Sequence, residues 1–218
     1  LLRGLSVNDY IEIKTKRVHT QNHHDTFLAM STLYVEKIES SRTIFSGTAT
    51  RTVASTNLNG NSVSPLQWTE GAKDSGFTHS NSANSQNITL DAAGKYLVFA
   101  NVPLDGARTR ASVKMEIKLG GTQITGGLAN QGYIRNGDGI RDASIHWAGL
   151  VTTTSANQVL TLDVGKDAAS GSITVGGEKA TVFILKLANA NSVFSATGTR
   201  LVNGTSWNST TESDVQWA

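Results

Sequence analysis

The side chains best suited to chemistry form one cluster near the start of the sequence. His19, His23 and His24 are followed directly by Asp25, and imidazole and carboxylate groups bind divalent metals in many proteins. His19 and His23 have the four-residue spacing of helical metal ligands, but the strand-like patterns on both sides place them in a loop. We therefore interpret the cluster as a solvated loop and predict no metal ligands here.

Two further candidate sites are weaker. Asp138 and Asp142 bracket a glycine-rich stretch that could bind calcium through oxygen ligands, but no Asp-x-Asp-x-Asp pattern accompanies them. We favour a turn, and calcium stays an alternative. His146 lies beside Trp147 on a predicted strand, and we assign it no catalytic partner. This pattern is typical of a core or interface histidine.

Motifs for nucleophilic or phosphate chemistry are missing. The sequence has no Gly-x-Ser-x-Gly turn, and none of its glycine pairs leads into Gly-Lys-Ser/Thr. It contains no cysteine, which excludes thiolate catalysis, disulfides and cysteine-ligated zinc. We therefore predict a protein that is not an enzyme and needs no cofactor, with no catalytic, cofactor-binding or metal-binding residues.

Composition points to strands and excludes several partners. Ser, Thr, Asn and Gly make up roughly two-fifths of the sequence, and charged residues only 17%, which disfavours a helical bundle. The net charge is +2, and Lys and Arg form no basic stripe, so no nucleic-acid partner is expected. No apolar run of 18 residues occurs, so no membrane insertion is expected.

Alternation of apolar and polar residues predicts an all-β protein. In 111–119 the apolar residues face one way and lysines and a glutamate the other, the pattern of a strand with one wet face. Gly120-Gly121 then predicts a hairpin turn. Short strands separated by turns at this spacing are typical of a sandwich or barrel. The other predicted strands are Thr43–Val53, Ile88–Leu90, Tyr96–Val102, Ser144–Thr154, Val159–Val164 and Thr181–Leu187.

Two predicted strands are apolar on both faces. Lys95–Val102 carries Leu97 and Phe99 opposite its core-facing residues, and in Thr181–Leu187 we assign Val182 and Ile184 to the outer face, opposite Phe183, Leu185 and Leu187. An outer face of this kind must be covered. We expect another subunit to cover it, and the alternative is a loop of the same chain. The predicted trimer-interface residues are Leu97, Phe99, Val182 and Ile184.

The two ends of the chain are related by an internal repeat. Residues 1–69 align with residues 150–218 at a constant offset of 149 and without a gap, and self-similarity at a fixed period indicates repeated structural units. We expect three segments: 1–38 closes an upstream unit, 39–187 is a complete unit, and 188–218 opens the next. A longer tandem array is the favoured explanation, and pairing of the ends with neighbouring subunits is the alternative. Matched pairs include Phe45/Phe194, Thr48/Thr197, Arg51/Arg200, Gln67/Gln216 and Trp68/Trp217.

Several strands resemble those of the C1q/TNF-like jelly-roll family. Residues 93–102 are similar to its Gly-x-Tyr-x-Phe strand, with Val98 where an aromatic is usual, and 147–150 and 156–162 resemble its later strands. Residues 182–185 are similar to its apolar closing strand without the glycine. The resemblance covers roughly residues 70–187, and it implies a ten-stranded jelly-roll sandwich that packs as a trimer around an apolar axis.

Tandem, cysteine-free versions of this fold resemble bacteriophage virion proteins. The resemblance therefore implies a structural protein of an extracellular assembly: a fibre or capsid decoration at the virion surface, built from trimeric repeats. Its partners would be copies of itself, neighbouring repeats or virion proteins, and a host-surface receptor. On this hypothesis loops such as Ala129–Asp142 are contact loops, free to touch a host or a neighbour. The alternatives are a receptor- or glycan-binding adhesion module and a bacterial extracellular filament subunit.

Overall fold

A computed structural model of the chain describes residues 42–53, 58, 63–105, 111–134, 142–169, 173–176, 179–188, 198–201 and 215–217. All regular structure within these ranges is β-strand, and no helix among them is long and apolar enough to cross a membrane. The strands are β1 (Ile44–Thr52), β2 (Ser64–Lys73), β3 (Phe77–Thr78), β4 (Ile88–Leu90), β5 (Gly94–Asp105), β6 (Ala111–Leu119), β7 (Thr122–Ile134), β8 (Asp142–Thr153), β9 (Gln158–Ala169), β10 (Thr174–Val175), β11 (Ala180–Lys186), β12 (Gly198–Leu201) and β13 (Val215–Trp217).

The strand order is that of a jelly roll. The first sheet has the order β8-β5-β11-β1-β2, and the second has β7-β6-β9-β4-β3, with all pairs antiparallel. Without the short or joining strands β2, β3 and β10, eight strands of the unit remain. Counted from 1 to 8 along the chain, they have the order 1-8-3-6 in the first sheet (β1-β11-β5-β8) and 2-7-4-5 in the second (β4-β9-β6-β7). This is the double Greek key of a jelly roll, so the predicted jelly-roll fold is confirmed.

The strand β2 joins the two sheets along one side. Its residues from Leu66 onward pair with β1, whereas Ser64 and Pro65 pair with β9 of the other sheet. Proline lacks a backbone N–H and is tolerated where strand pairing changes. The sandwich is therefore closed on the β2 side, and β7 and β8 form the edges of the opposite side among the described strands.

The core fills the space between the inner faces of the sheets. Alternation along β6, and along β5 as far as Val102, directs every second side chain inward, including Tyr96, Val98, Met115 and Ile117, all fully buried. The Tyr96 hydroxyl donates to the Ala92 carbonyl oxygen at 2.7 Å, and burial raises the pKa of this phenol. The hydrogen bond supplies the partner that a buried hydroxyl needs.

The Gly120-Gly121 hairpin predicted from sequence is present between β6 and β7. Both glycines have positive φ, 58° and 82°, as a two-residue turn of the favoured hand requires. Further along β7, Gly127 sits in an irregularity of the pairing with β6, where a Cβ would lie 2.8 Å from the Ile117 carbonyl oxygen. The strand then continues to Ile134, so the predicted contact loop at Ala129–Asp142 was wrong at its start, and 135–141 lie outside the described residues.

A tryptophan side chain connects the two edge strands of the open side. Trp147 on β8 donates from its indole Nε1 to the carbonyl oxygen of Gly126 on β7 at 2.9 Å. Its ring lies over Gly149, where an added Cβ would be 2.5 Å from the ring atom Cζ2. Glycine at 149 thus makes room for an indole that joins one sheet to the other.

The hairpin of β12 and β13 repeats the pairing of β1 and β2. In the first hairpin Ala49 pairs with Trp68 and Thr52 with Leu66, with a register irregularity between the two pairs. Adding 149 to each number gives Gly198 with Trp217 and Leu201 with Val215, which are the observed pairs of the second hairpin, also with an irregularity between them. The domain boundaries stay predictions, and segment 1–38 lies outside the described residues.

Candidate functional site

The outer face of the first sheet carries two rows of side chains that run across its strands. Phe99 pairs with Ala148 on one side and Phe183 on the other, and Leu97 pairs likewise with Leu150 and Leu185. Residues that pair directly across an antiparallel sheet share a face. We call this surface the apolar outer face. Its members are Leu97, Phe99, Ala148, Leu150, Phe183 and Leu185.

Phe99 is the most prominent side chain of the apolar outer face. It is 43% exposed, and its ring stacks on that of Phe183 with a centroid distance of 6.3 Å and an interplanar angle of 29°. Aromatic pairs at such distances attract each other beyond the area that they bury. The pair leaves an aromatic ring facing outward in the middle of the sheet.

Two of the four predicted interface residues are on this face and two are not. Leu97 and Phe99 point outward as predicted, but Val182 and Ile184 are 2% and 0% exposed and belong to the core. The strand β11 is apolar on both faces, so its alternation could not show which side points inward. Its register against β5 decides, because Phe183 pairs with the outward Phe99. Sequence reasoning therefore missed Phe183 and Leu185 as outer residues.

A polar row borders the apolar outer face along one side. Asn101 pairs with His146 and with Thr181, which in turn pairs with Thr48. The Asn101 Oδ1 atom is enclosed and has no hydrogen-bond partner in the described part of the chain, an arrangement that costs stability unless a partner arrives. His146 is exposed, so its prediction as a core histidine was wrong, and its role in an interface remains a prediction.

The outer face of the second sheet is charged instead. Glu116 on β6 pairs with Asp163 on β9, and two carboxylates so placed repel each other. The Lys118 ammonium offsets this: its Nζ lies 2.8 Å from Asp163 Oδ2 and 3.2 Å from Glu116 Oε2. Lys114 approaches Glu116 from the other side at 3.5 Å. We call these four residues the charged outer face.

The protonation of Lys118 is coupled to its two acidic neighbours. Partial burial lowers the pKa of Lys118, but the hydrogen bonds and negative charges of Asp163 and Glu116 outweigh burial and leave its pKa above the ordinary value. The lysine is therefore charged at neutral pH. Asp163 is only 5% exposed, and its Oδ1 atom has no partner among the residues described, so Lys118 is the cation on which this buried carboxylate depends.

A polar pocket of about 170 Å³ lies over the pairing of β1 with β2. The strands β1 and β2 supply most of the wall, the segment between β3 and β4 supplies Asn81 and Ser85, and Lys179 enters from just before β11. Trp68 is 1% exposed, and its backbone N–H donates to the Ser85 carbonyl oxygen at 2.9 Å. We call this the β1–β2 pocket. Its lining is Thr48, Ala49, Thr50, Arg51, Gln67, Trp68, Thr69, Asn81, Ser85 and Lys179.

The metal and turn candidates from the sequence lie largely beyond the described residues. The cluster of His19, His23, His24 and Asp25 is outside them, as is Asp138, and of Asp142 only the backbone is described. Within the described ranges no three His, Asp or Glu side chains group as metal ligands would. The calcium alternative at the glycine-rich stretch therefore stays untested.

No family model matches the sequence, and a search of curated proteins finds no match either. Among solved structures the chain is similar to murine APRIL at pH 5.0, with a TM-score of 0.48 and 12% identity over 67% of this chain and 100% of that one. It is also similar to Eiger TNF from S. frugiperda, with a TM-score of 0.46 and 15% identity over 68% of this chain and 96% of that one. The assignment of the jelly roll rests on the strand order given above.

Proposed function

We propose that the chain is a non-enzymatic structural protein that assembles as a homotrimer through its apolar outer face. The observation that carries the proposal is the pair of apolar rows across β8, β5 and β11, with Phe99 exposed and stacked on Phe183. Contiguous apolar surface bordered by polar side chains is typical of protein interfaces. The outer face of the other sheet, by contrast, carries charged side chains.

The occupant we propose for the apolar outer face is the same face of further copies of the chain. Its two rows carry no charged side chain, so like faces meet without repulsion, whereas the charged outer face would have to lose water from Lys114 and Glu116 to pack there. The number three comes from the C1q/TNF-like resemblance. A partner copy would also bring hydrogen-bonding groups near Asn101 Oδ1.

We extend the proposal to tandem repeats. Support comes from the β12–β13 hairpin, which repeats the β1–β2 pairing and its irregularity at the offset of 149 that the sequence predicts. On this view 1–38 closes one unit, 39–187 forms a complete unit and 188–218 opens another. Repeats in contact along a chain form extended objects whose stability adds up from unit to unit.

The setting we propose is extracellular, as a fibre or capsid decoration of a bacteriophage virion. It rests on the resemblance of tandem, Ser/Thr/Asn-rich, cysteine-free jelly rolls to such proteins, and a protein without disulfides gains stability from assembly instead. The partners would be neighbouring repeats and other virion proteins.

The test of the homotrimer uses two surface variants matched in exposure. Phe99 is 43% exposed on the apolar outer face, and Leu128 is 45% exposed on β7 of the other sheet. By light scattering the wild type should have three times the mass of one chain, Phe99→Lys the mass of one chain, and Leu128→Lys the wild-type mass. A monomeric wild type, or an unchanged mass for Phe99→Lys, would contradict the proposal.

Circular dichroism of the Phe99→Lys variant checks that it stays folded. Should it not, Leu185→Lys is the second variant, because Leu185 lies on the same face in the neighbouring row. Loss of association in both Phe99→Lys and Leu128→Lys would also count against the apolar outer face, because it would show a non-specific effect of the added charge.

A second candidate function is adhesion to a host surface. The observation in its favour is the β1–β2 pocket, which is lined by polar side chains and two cations and shares only Thr48 with the polar row that borders the apolar outer face. A pure spacer has no use for such a pocket.

A further inference from the structure

The β1–β2 pocket has the character of a site for a negatively charged ligand. Arg51 and Lys179 are both exposed at its wall, and the lining contains no acidic residue. Within the described structure neither cation pairs with another side chain. Exposed cations that converge without an acidic partner raise the local concentration of anions, and arginine in particular binds carboxylate and sulfate groups through two parallel hydrogen bonds.

The rest of the lining consists of groups that both donate and accept hydrogen bonds. Thr48, Thr50 and Thr69 contribute hydroxyls, and Gln67 and Asn81 contribute amides. Such groups match the hydroxyls of a sugar, each of which also donates and accepts. The lining offers no exposed aromatic ring on which a nucleobase could stack, because Trp68 is buried. The chemistry therefore favours a saccharide over a nucleotide.

The internal repeat keeps part of this pocket wall, although Thr69 is replaced by Ala218 and Lys179 corresponds to Met30. Thr48, Thr50, Arg51, Gln67 and Trp68 recur without change 149 residues later, as Thr197, Thr199, Arg200, Gln216 and Trp217. The two hairpins also share their pairing, since Ala49 with Trp68 corresponds to Gly198 with Trp217.

Packing explains only part of what the repeat keeps: the buried Phe45 and Trp68 are retained as Phe194 and Trp217, but other buried residues are not. The buried residues Thr52 and Leu66 are replaced by Leu201 and Val215 in the second copy. The exposed Thr50 and Arg51, which fill no core, are retained. Selection for a fold alone would keep buried positions and let exposed ones drift. Retention of exposed polar residues indicates that the surface itself is used.

We propose that the β1–β2 pocket binds a saccharide unit that carries a carboxylate or a sulfate group. Arg51 and Lys179 neutralise the anion, and the threonine hydroxyls with Gln67 and Asn81 bind the ring hydroxyls. This goes beyond the proposed assembly and does not depend on it, because every group named lies outside the apolar outer face. In a tandem array the repeats that keep Arg51 would contribute further sites, although the upstream repeat has Met30 in place of Lys179, and weak single sites would add up to firm attachment.

The test is isothermal titration calorimetry of the 218-residue chain with four soluble probes at low salt. These are oligogalacturonate for carboxylate, sulfated dextran oligomers for sulfate, neutral dextran oligomers, and a poly-glutamate peptide. We expect binding of one or both anionic saccharides, and whichever binds identifies the anion. The proposal would be overturned if neutral dextran or the peptide bound with the same affinity as the better anionic saccharide. It would also be overturned if neither anionic saccharide bound.

Charge-removing variants locate the site. Arg51→Gln should weaken binding of the anionic saccharide about tenfold, as expected for a lost charge-assisted bond, and Lys179→Gln about threefold. The matched control is Lys186→Gln, at the end of β11 and outside the pocket, which should change binding by less than about twofold. Equal losses in all three variants would overturn the assignment to the pocket.

The mass of each variant separates this proposal from the homotrimer. Phe99→Lys should keep saccharide affinity whether or not it dissociates the trimer, and Arg51→Gln should keep the wild-type mass. Loss of saccharide binding in a monomeric but folded Phe99→Lys variant would show that the pocket needs the trimer. It would overturn the proposal that saccharide binding does not depend on assembly.

Discussion

The two sheets share one core but differ completely on their outer faces. The first sheet presents Leu97, Phe99 and Phe183, whereas the second presents lysines and carboxylates tied into one cluster around Lys118. Exposure of a single residue does not distinguish them, because Leu128 on the second sheet is as exposed as Phe99 on the first. The neighbours do: Leu128 pairs with Glu116, and Phe99 with Ala148 and another phenylalanine. An interface is thus indicated by continuity of apolar surface and not by one apolar side chain.

Shortening side chains on the two faces of one strand should have opposite effects on folding and on association. Ile184→Ala removes a fully buried side chain and should lower the free energy of unfolding by about 2–5 kcal/mol. Leu185→Ala, its outward neighbour, should cost less than about 1.5 kcal/mol in the fold and should weaken association instead. Urea unfolding in the Phe99→Lys background measures the change in the free energy of unfolding without a contribution from association. Equal losses would mean that the inner and outer sides of β11 are assigned wrongly.

On the charged outer face the two lysines should differ in importance. Lys118→Met leaves the Asp163 carboxylate without its cation and should cost about 1–3 kcal/mol of unfolding free energy. Lys114→Met is the matched control on the same strand and face: among the described residues the ion pair of Lys114 is with Glu116, at 3.5 Å, and its loss should cost less than about 0.5 kcal/mol. Chemical denaturation of both variants at pH 7 gives the comparison, and similar costs would show that burial of Asp163 contributes nothing.

The smallest expected effect is the pH dependence of that cluster. Because Asp163 and Glu116 hold the pKa of Lys118 above its ordinary value, its stabilisation is complete below the unfolded-state value of about 10.4 and is lost as pH rises through the folded-state pKa. The stability difference between wild type and Lys118→Met should be constant from pH 7 to about pH 9 and should shrink above about pH 10.4. Tyr96 titrates in both proteins and cancels in the difference. A difference that already falls below pH 9 would contradict the raised pKa.

Sequence periodicity predicted the strands that have one wet face. Ala111–Leu119 and Ile88–Leu90 have the predicted bounds, because alternation of apolar and polar residues reports the two sides of such a strand directly. The strands β2 and β7 were missed. Pro65 and the Gly126-Gly127 pair argue against a strand in a local pattern, and both are tolerated where pairing changes or becomes irregular.

The candidate site could be predicted only in part. Periodicity shows that β11 is apolar on both faces, but only its register against β5 shows that Phe183 points outward and Ile184 inward. The β1–β2 pocket was beyond sequence reasoning for a related reason, since its wall comes from four separate segments. The one signal that could have found it was the identity of Thr50 and Arg51 with Thr199 and Arg200.

The hydrogen bond from the Trp147 indole to the Gly126 carbonyl oxygen has a consequence for the exposed edge strands β7 and β8. An unpaired edge strand can pair with a strand of another molecule, and neighbouring chains of similar sequence are the most prone to such misassembly. Because the Trp147 indole of β8 occupies the Gly126 carbonyl oxygen on β7, that acceptor is not free to pair with a strand of another molecule. The indole thereby protects part of the open side of the sandwich against edge-to-edge pairing.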